Sequence, residues 1–367
     1  MRRSWLVVLG IGLVISGVAL VGLRWRAGGG PQADARAKVA ETAARRTRMA
    51  PRLPAPKLPA RAAGQRAESA PPNSICRLFR EGIPMLDRAQ IDKFLARRQR
   101  DALSLLVDWL HTDDRSLLRE AAGRFPGDPL VQLELGLCGE SPEERRGALE
   151  ACRLLAPDNP LPDYLLALDA LEGGRTDEAV EALLRAWDKL VFADYSAELT
   201  AAVMDAYRSA GFAPLQAEVA GMFGAKHPHL SSLRELAKRM KDLQAGYREQ
   251  GDPESAQAMG QIAVQMAAGL GNQPGHHLIT DLVAMGIEQT MLESLPPEVL
   301  VTADGVTAGG RLKAIAERRE ELQSLGPVAD RVLTLPESEV AIYLERVRLD
   351  GEAAALMWLR GRNGTAR

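Results

Sequence analysis

The amino-acid sequence predicts an all-α protein. Side chains that cap helices are repeatedly followed by proline, at Asp128-Pro129, Ser141-Pro142, Asn159-Pro160 and Asp252-Pro253. Apolar residues recur at steps of three and four, which is the spacing of one face of a helix. Sustained alternation of β-branched residues is missing from the sequence, and aromatic residues make up only 4% of it. These features favour helices throughout the folded part of the chain.

The cap and proline pairs mark where helices begin. A capping oxygen accepts a hydrogen bond from a free backbone N–H of the first turn, and proline fits where no N–H is needed. One of these starts, Ser141–Glu144, has a Glu three residues after the cap, and the same pattern occurs at Thr334–Glu337. Both pairs predict capping boxes, in which the Glu side chain reaches back to the cap.

One apolar stripe is predicted on a single helix within residues 91–110, IDKFLARRQRDALSLLVDWL. The residues that form the stripe are Ile91, Phe94, Leu95, Ala102, Leu105, Leu106 and Trp109.

Residues 1–26 predict an N-terminal transmembrane anchor. The 19 residues from Trp5 to Leu23 are uncharged, and as a helix they span about 28 Å, close to the thickness of a bilayer core. Trp5 and Trp25 lie at its two edges, and Arg24 and Arg26 follow it, so we expect these four residues at the membrane interface. A cleaved signal peptide is the alternative.

The membrane orientation is set by opposing charges. Arg2 and Arg3 favour a cytoplasmic N-terminus, whereas Arg24, Arg26 and the basic residues after them favour the reverse. We expect the body of the single-pass protein to lie outside the cytoplasm, because short Arg-bearing leaders before one apolar segment usually stay inside. The cytoplasmic face is the alternative.

Residues 27–74 predict a disordered linker rich in Ala, Pro and Arg. Such a composition has few large apolar residues to bury, so it cannot offset the entropy of ordering.

Residues 1–75 carry 13 Lys and Arg against 3 acids, whereas the whole chain has 46 against 48, so the remainder carries a net charge of −12. An acidic body with few aromatic residues argues against nucleic-acid binding.

The body contains an internal repeat of 31 residues. FPGDPLVQLELGL (125–137) aligns without a gap on APDNPLPDYLLAL (156–168). Each copy begins with a proline-capped helix, places a small residue inside it (Gly136, Ala167), and returns on a second, alanine-rich helix. Small residues let two helices approach closely. Because one hairpin cannot bury its apolar faces alone, the repeat predicts stacked hairpins.

These residues resemble the tetratricopeptide repeat family, whose unit is a helical hairpin of about 34 residues. The best unit is residues 157–191, with Leu166 and Ala167 in the first helix, Gly174 in the turn, and Ala179, Leu183 and Ala186 in the second helix. The unit before it and the segments 201–223 and 243–263 are degenerate copies. A generic right-handed helical array is the alternative.

The resemblance predicts a TPR-like right-handed stack over residues 75–310. Residues 311–367 depart from the repeat, but 337–362 still indicate two apposed helices, so we expect a C-terminal helical cap there. The resemblance also implies a non-catalytic scaffold whose concave face binds a protein or peptide partner. The alternative is an envelope enzyme of the cell-wall lytic type with the array as a frame, for which residues 311–367 look too short.

One basic stripe is a candidate site for the partner. Arg234, Lys238, Lys241 and Arg248 are spaced so that they share one side of a helix, opposite the apolar face of Leu233, Leu236, Met240, Leu243 and Tyr247. Such a stripe could bind an acidic peptide or chain terminus. The alternative is an ordinary solvated helix face, paired with Glu235, Asp242 and Glu249.

Other kinds of site find little support. His227-Pro228-His229 and His276-His277 are expected in loops, without the four-residue helical spacing that presents two imidazoles to one metal, so we predict no metal site. We also predict no catalytic residues, no cofactor and no small-molecule substrate.

Cys138 and Cys152 lie on the two helices of one hairpin, where buried free thiols are favoured over a disulfide.

If the basic stripe binds the partner, then replacing Lys238 and Lys241 by Glu should weaken its recovery in a pull-down, because the charge of the surface is reversed. Unchanged recovery would exclude this role for the stripe.

Overall fold

A computed structural model describes residues 77–78, 81–224 and 226–364. The predicted transmembrane segment and linker lie outside the described residues. The described helices belong to one compact unit. They are, in chain order, α1 (Arg88–Arg97), α2 (Ala102–Thr112), α3 (Arg115–Arg124), α4 (Pro129–Cys138), α5 (Pro142–Leu155), α6 (Leu161–Glu172), α7 (Thr176–Trp187), α8 (Ser196–Ser209), α9 (Pro214–Gly224), α10 (Pro228–Glu249), α11 (Pro253–Gly271), α12 (Leu278–Leu292), α13 (Ala308–Gln323), α14 (Gly326–Val332), α15 (Glu337–Asp350) and α16 (Glu352–Gly364).

The all-α prediction is confirmed. The only β pairing among the described residues is an isolated antiparallel bridge between Leu300 and Thr307, in the segment before α13. Helices pack mainly as consecutive pairs: α4 with α5, α6 with α7, α8 with α9, α11 with α12, and α15 with α16. Within the part of the chain that the structure describes, each helix is too short or too polar to span a bilayer.

Helix starts follow the predicted capping chemistry at three of the four proline sites. Asp128 accepts hydrogen bonds from Leu130 and Val131, Ser141 from Glu144, and Asp252 from Ser255. At the fourth, α6 begins one residue later than predicted, and the Asn159 side chain accepts from the Leu161 N–H at 3.1 Å.

The two predicted capping boxes are incomplete or missing. Glu144 accepts from the Glu140 N–H at 2.7 Å, one residue before the Ser141 cap. At the start of α15 the prediction is wrong. Thr334 donates to the Arg331 carbonyl of the preceding turn, and α15 has no side-chain cap. The cap of α15 is Pro336, so Thr334 lies two residues before the position from which a side chain caps this helix.

The single helix predicted within residues 91–110 is two helices. The first helix, α1, ends at Arg97, and α2 begins at Ala102. Between them, Gln99 and Arg100 adopt left-handed φ angles of 55° and 51°. Asp101 then caps α2 by accepting from the Ser104 N–H at 2.9 Å. All seven predicted stripe residues are nevertheless buried. The apolar pattern therefore predicts which residues are buried, whereas the cap at Asp101 sets the start of a separate second helix.

The repeat segments form hairpins. Gly174 turns the chain between α6 and α7 with a φ of 71°, and Gly211 and Gly251 turn it between α8 and α9 and between α10 and α11 with φ of 91° and 79°. The small residue predicted at the crossing of α4 and α5 lies at a close contact between the two helices. A Cβ on Gly136 would lie 2.6 Å from Cδ2 of Leu149.

Some helices also pack against helices that are distant in the sequence. Helix α8 packs against α2 and α1 as well as against α9, and its Leu199 and Val203 share a core with Leu106 and Trp109. Because α8 packs back onto α1 and α2, it covers apolar side chains of these first two helices.

Helix α10 lies across the first helices of two consecutive hairpins, α4 and α6. Its Leu233, Leu236 and Met240 are fully buried and share a core with residues of those hairpins, including Leu133 and Tyr164. The face shared by α4 and α6 is thus covered by a helix of the same chain.

The close contact at Gly136 gives a test of the hairpin packing. Gly136→Ala should lower the free energy of unfolding by about 1–3 kcal/mol, because the new methyl group overlaps Leu149 in a packed core. The measurement is urea unfolding followed by circular dichroism.

A matched control lies on the partner helix. Gly147 of α5 is exposed, and a Cβ there would meet nothing within 4 Å. Gly147→Ala should therefore stabilise the protein by about 0.5–1 kcal/mol. Equal effects of the two changes would contradict the proposed crossing.

Candidate functional site

The predicted partner stripe lies on α10, on the side away from the core. Arg234, Lys238 and Arg248 are exposed and Lys241 is half-buried. Two of the four basic groups already have partners: Lys238 pairs with Glu235 at 2.9 Å, and Arg248 donates to the Ser294 carbonyl. The stripe is an exposed helix face, and its role in binding stays a prediction. The four predicted membrane-interface residues (Trp5, Trp25, Arg24 and Arg26) lie outside the described residues.

The structure brings together histidines that the sequence places in separate segments. The rings of His227 and His229 lie 5.9 Å apart between centroids, and His277 lies 5.9 Å from His227. The expectation that both histidine pairs lie in loops is partly wrong. His229 is in the first turn of α10, while His227 and His277 precede α10 and α12 directly.

Asp194 completes this cluster from the segment between α7 and α8. Its Oδ2 lies 3.3 Å from Nε2 of His229. Its Oδ1 accepts two hydrogen bonds from Ser196, from the N–H at 2.9 Å and from the hydroxyl at 2.7 Å. Because Ser196 holds one oxygen, the other is directed to the histidines. We call Asp194, His227 and His229 the histidine–aspartate cluster.

The buried Asn159 holds the segment that carries Asp194. Its Nδ2 donates to the Ala193 carbonyl at 2.7 Å, and its Oδ1 accepts from the Ala193 N–H at 3.1 Å. Tyr195, the next residue after Asp194, has a left-handed φ of 56°. A non-glycine residue keeps this angle only where its surroundings impose it. The backbone around Asp194 is therefore fixed on both sides.

A second pair of groups borders the cluster. Oε2 of Glu352 lies 3.7 Å from Nδ1 of His277 and accepts from the Leu278 N–H at 2.8 Å. His276 faces another way, with Nε2 3.1 Å from Oδ1 of Asp281. The starts of α8, α10, α12 and α16 thus meet around ionisable side chains.

The electrostatics of the cluster are set by burial and by mutual contacts. Burial opposes ionisation of Asp194, but its hydrogen bond with His229 and its bonds from Ser196 lower the pKa of that carboxyl below its usual value. Burial and the neighbouring imidazoles of His277 and His229 lower the pKa of His227 to about 4. At neutral pH, Asp194 is therefore a carboxylate and His227 a neutral imidazole.

Glu134 on α4 adds a buried acid to this region. It is 5% exposed, and no cation of the described residues lies within ion-pair distance of it. Burial, together with the negative charge of Asp194, raises its pKa to about 8, although Lys226 acts in the opposite direction. Burying a carboxyl without a partner is costly, so it holds its proton near neutral pH.

Sequence reasoning missed this cluster because its members are far apart in the chain and none has a metal-ligand spacing on a helix. The signal that could have pointed to it is His-Pro-His at the start of a long helix. Proline at the helix start fixes the backbone between the two histidines, which limits where their rings can lie.

The two cysteines of the hairpin formed by α4 and α5 are free thiols, as favoured from the sequence. Cys152 is buried and donates to the Pro129 carbonyl at 3.3 Å, while Cys138 is half-buried. Burial raises the pKa of Cys138 to about 11 and that of Cys152 to about 12. Both are therefore protonated and unreactive at neutral pH.

An exposed apolar surface lies at the end of α5 and α7. Eleven large hydrophobic residues are exposed in the described residues, and six of them fall between 154 and 191. The Val191 N–H donates to the Asp158 carbonyl at 3.3 Å, which joins the segment after α7 to the turn after α5. We call this surface the apolar end. Its members are Leu154, Leu155, Leu184, Trp187, Leu190 and Val191.

Comparison of the chain with protein-family models, curated proteins and solved structures gives no match.

The buried Glu134 predicts a pH dependence of stability. Its folded pKa of about 8 lies above its ordinary value of 4.5. Between these values the folded state keeps a proton that the unfolded state loses, so stability should fall as pH rises through this window. Glu134→Gln should remove a loss on the order of a few kcal/mol by pH 8. Urea unfolding at pH 5 and pH 8 in the presence of EDTA measures the effect.

The matched control is Glu249→Gln, at the exposed end of α10. This change should leave the difference between the two pH values as it is in the original protein. If Glu134→Gln also leaves it unchanged, then Glu134 is not the group that titrates.

Proposed function

We propose that this chain is a membrane-tethered helical-repeat scaffold that binds a protein partner and has no catalytic role. In this proposal the array is TPR-like and right-handed. Two observations support it. A glycine turn joins the two helices of several hairpins, and Gly136 lies against Leu149 where two helices cross. The N-terminal segment is the membrane anchor, the linker gives the body reach along the bilayer, and the body lies outside the cytoplasm.

The apolar end carries the proposal of partner binding. Leu190 is 88% exposed, Leu154 71% and Val191 61%. Isolated exposed apolar residues are ordinary, but six of them in two segments joined by the Val191–Asp158 hydrogen bond are typical of an interaction surface. Trp187 adds a large aromatic side chain, of the type enriched at the centres of protein interfaces.

The first helices of the hairpins are less suited to hold the partner. In TPR-like arrays these helices line the concave face, and here α10 already covers α4 and α6. Displacing α10 would expose Leu233, Leu236 and Met240. Full exposure of such side chains costs about 1.5–3 kcal/mol each. We therefore propose that the partner binds the apolar end through an apolar segment of its own.

The groove beside the apolar end is polar and largely self-neutralised. It has a volume of about 260 Å³ and lies between α5, α6 and α7. Its arginines pair with acids of the same region: Arg153 with Glu150, and Arg175 with Asp169 and Glu178. Paired charges at a surface contribute specificity more than affinity, so the groove would orient a partner that the apolar end binds.

Photo-cross-linking in native membranes tests this proposal. A benzoyl-phenylalanine at position 154 should give a discrete protein adduct, whose partner is identified by mass spectrometry. In the same chain, Leu190→Glu should reduce the yield of that adduct about tenfold, which corresponds to about 1.4 kcal/mol, because a charge enters the shared apolar surface.

The matched control is Leu349→Glu on α15, since Leu349 is also exposed, at 56%, but lies outside the apolar end. It should leave the adduct unchanged. Adducts to lipid alone, or a protein adduct insensitive to Leu190→Glu, would contradict the proposal.

A further inference from the structure

The histidine–aspartate cluster has a composition that ordinary packing does not require. Two imidazoles and one carboxylate converge from two segments more than thirty residues apart in sequence, and their ligand atoms all lie within 4.8 Å of one another. Among the described residues, no other group of three or more potential ligands is drawn together in this way. His229 is 4% exposed, so the cluster lies at the edge of the core.

A His–Asp ion pair explains only part of this geometry. The 3.3 Å separation of His229 and Asp194 fits an ion pair. The second imidazole does not take part in it. Within the described residues, neither ring nitrogen of His227 has a hydrogen-bond partner, and the ring faces the rings of His229 and His277. A neutral imidazole has one nitrogen that can bind a metal, and that of His227 lies within 4.8 Å of the ligand atoms of His229 and Asp194.

We propose that Asp194, His227 and His229 bind a divalent first-row transition-metal ion of the zinc type. Two nitrogen donors and one carboxylate oxygen form a donor set used for Zn²⁺, and it differs from the all-oxygen sets preferred by Mg²⁺ and Ca²⁺. With bonds of about 2.0–2.1 Å, tetrahedral ligands lie about 3.4 Å apart. The ligand atoms lie within 4.8 Å of one another, so they would have to approach by at most about 1.4 Å to reach this arrangement.

The surroundings of the cluster support a bound cation. Ser196 fixes one oxygen of Asp194 by two hydrogen bonds, which is the role that outer partners take for metal-binding carboxylates. Glu134 interacts electrostatically with Asp194 and has no cation at ion-pair distance in the described residues. A divalent ion at the cluster would offset the cost of its buried carboxyl.

The ion would join two parts of the body. Asp194 lies in the segment that connects α7 to α8, and the two histidines lie at the start of α10. Three protein ligands leave a fourth position for water or for a side chain of another molecule. The site does not rest on the partner binding proposed above, since the apolar end supplies none of its ligands.

Metal titration of the full chain tests the proposal. The protein is purified in detergent micelles with a tag that contains no histidine, and is stripped of metal with EDTA. We expect Co²⁺ to bind at one ion per chain with the visible d–d absorption of a four-coordinate site, and Zn²⁺ to displace it. Zn²⁺ should also raise the melting temperature.

Two variants and one control locate the ligands. Outer partners alone are worth about 10–100-fold in metal affinity, so loss of a ligand in His227→Ala or Asp194→Asn should lower affinity by about 100-fold or more. Asn can still accept the bonds from Ser196, and His227 makes no hydrogen bond, so both variants should fold, as checked by circular dichroism. His111→Gln, a histidine outside the cluster, should bind as the original chain does.

The proposal is overturned if the original chain shows no saturable Co²⁺ binding and no thermal shift with Zn²⁺. It is also overturned if both variants retain full affinity, or if His111→Gln loses binding to the same extent. If one variant fails to fold, then the metal affinity of the other still shows whether the cluster holds the ion.

Discussion

Helix α10 is the element on which the rest of the body depends. Its apolar face packs across α4 and α6, so it covers two hairpins that cannot cover themselves. Leu233, Leu236 and Met240 are fully buried in this contact. Burial of this kind is the main favourable term in folding. Because α10 begins directly after His227, the same packing also brings the two histidines of its start to Asp194.

The covered face separates this body from an open array. A stack in which each hairpin touches only its neighbours leaves the first helices free along one side. Here α10 covers that side, and α8 returns to α1 and α2. Exposed apolar surface is then concentrated elsewhere, at the ends of α5 and α7. Hairpins of repeat type are therefore packed here so that the exposed apolar side chains lie away from the side that a regular array leaves open.

Asn159 shows how one side chain serves both fold and site. Its Oδ1 accepts from Leu161 at the start of α6 and from Ala193, and its Nδ2 donates to the Ala193 carbonyl. It therefore joins the start of the hairpin formed by α6 and α7 to the segment that carries Asp194, which lies next to the apolar end. A hydrogen bond from the helix start to Asn159 could be expected from Asn-Pro in the sequence. The contact with Ala193, 34 residues later, could not.

The sequence by itself determined the helical class, three of the four proline-marked helix starts, the hairpins of the repeat, and the burial of the apolar stripe within residues 91–110, because these depend on local capping and on apolar spacing. It did not determine the break after Arg97, since the spacing of apolar residues continues across it. Only the tertiary structure decided that α10 covers α4 and α6, and that Asp194, His227 and His229 meet. The physical reason is that apolar faces attract one another without direction, so the sequence pattern states that a face is buried but not which other face covers it.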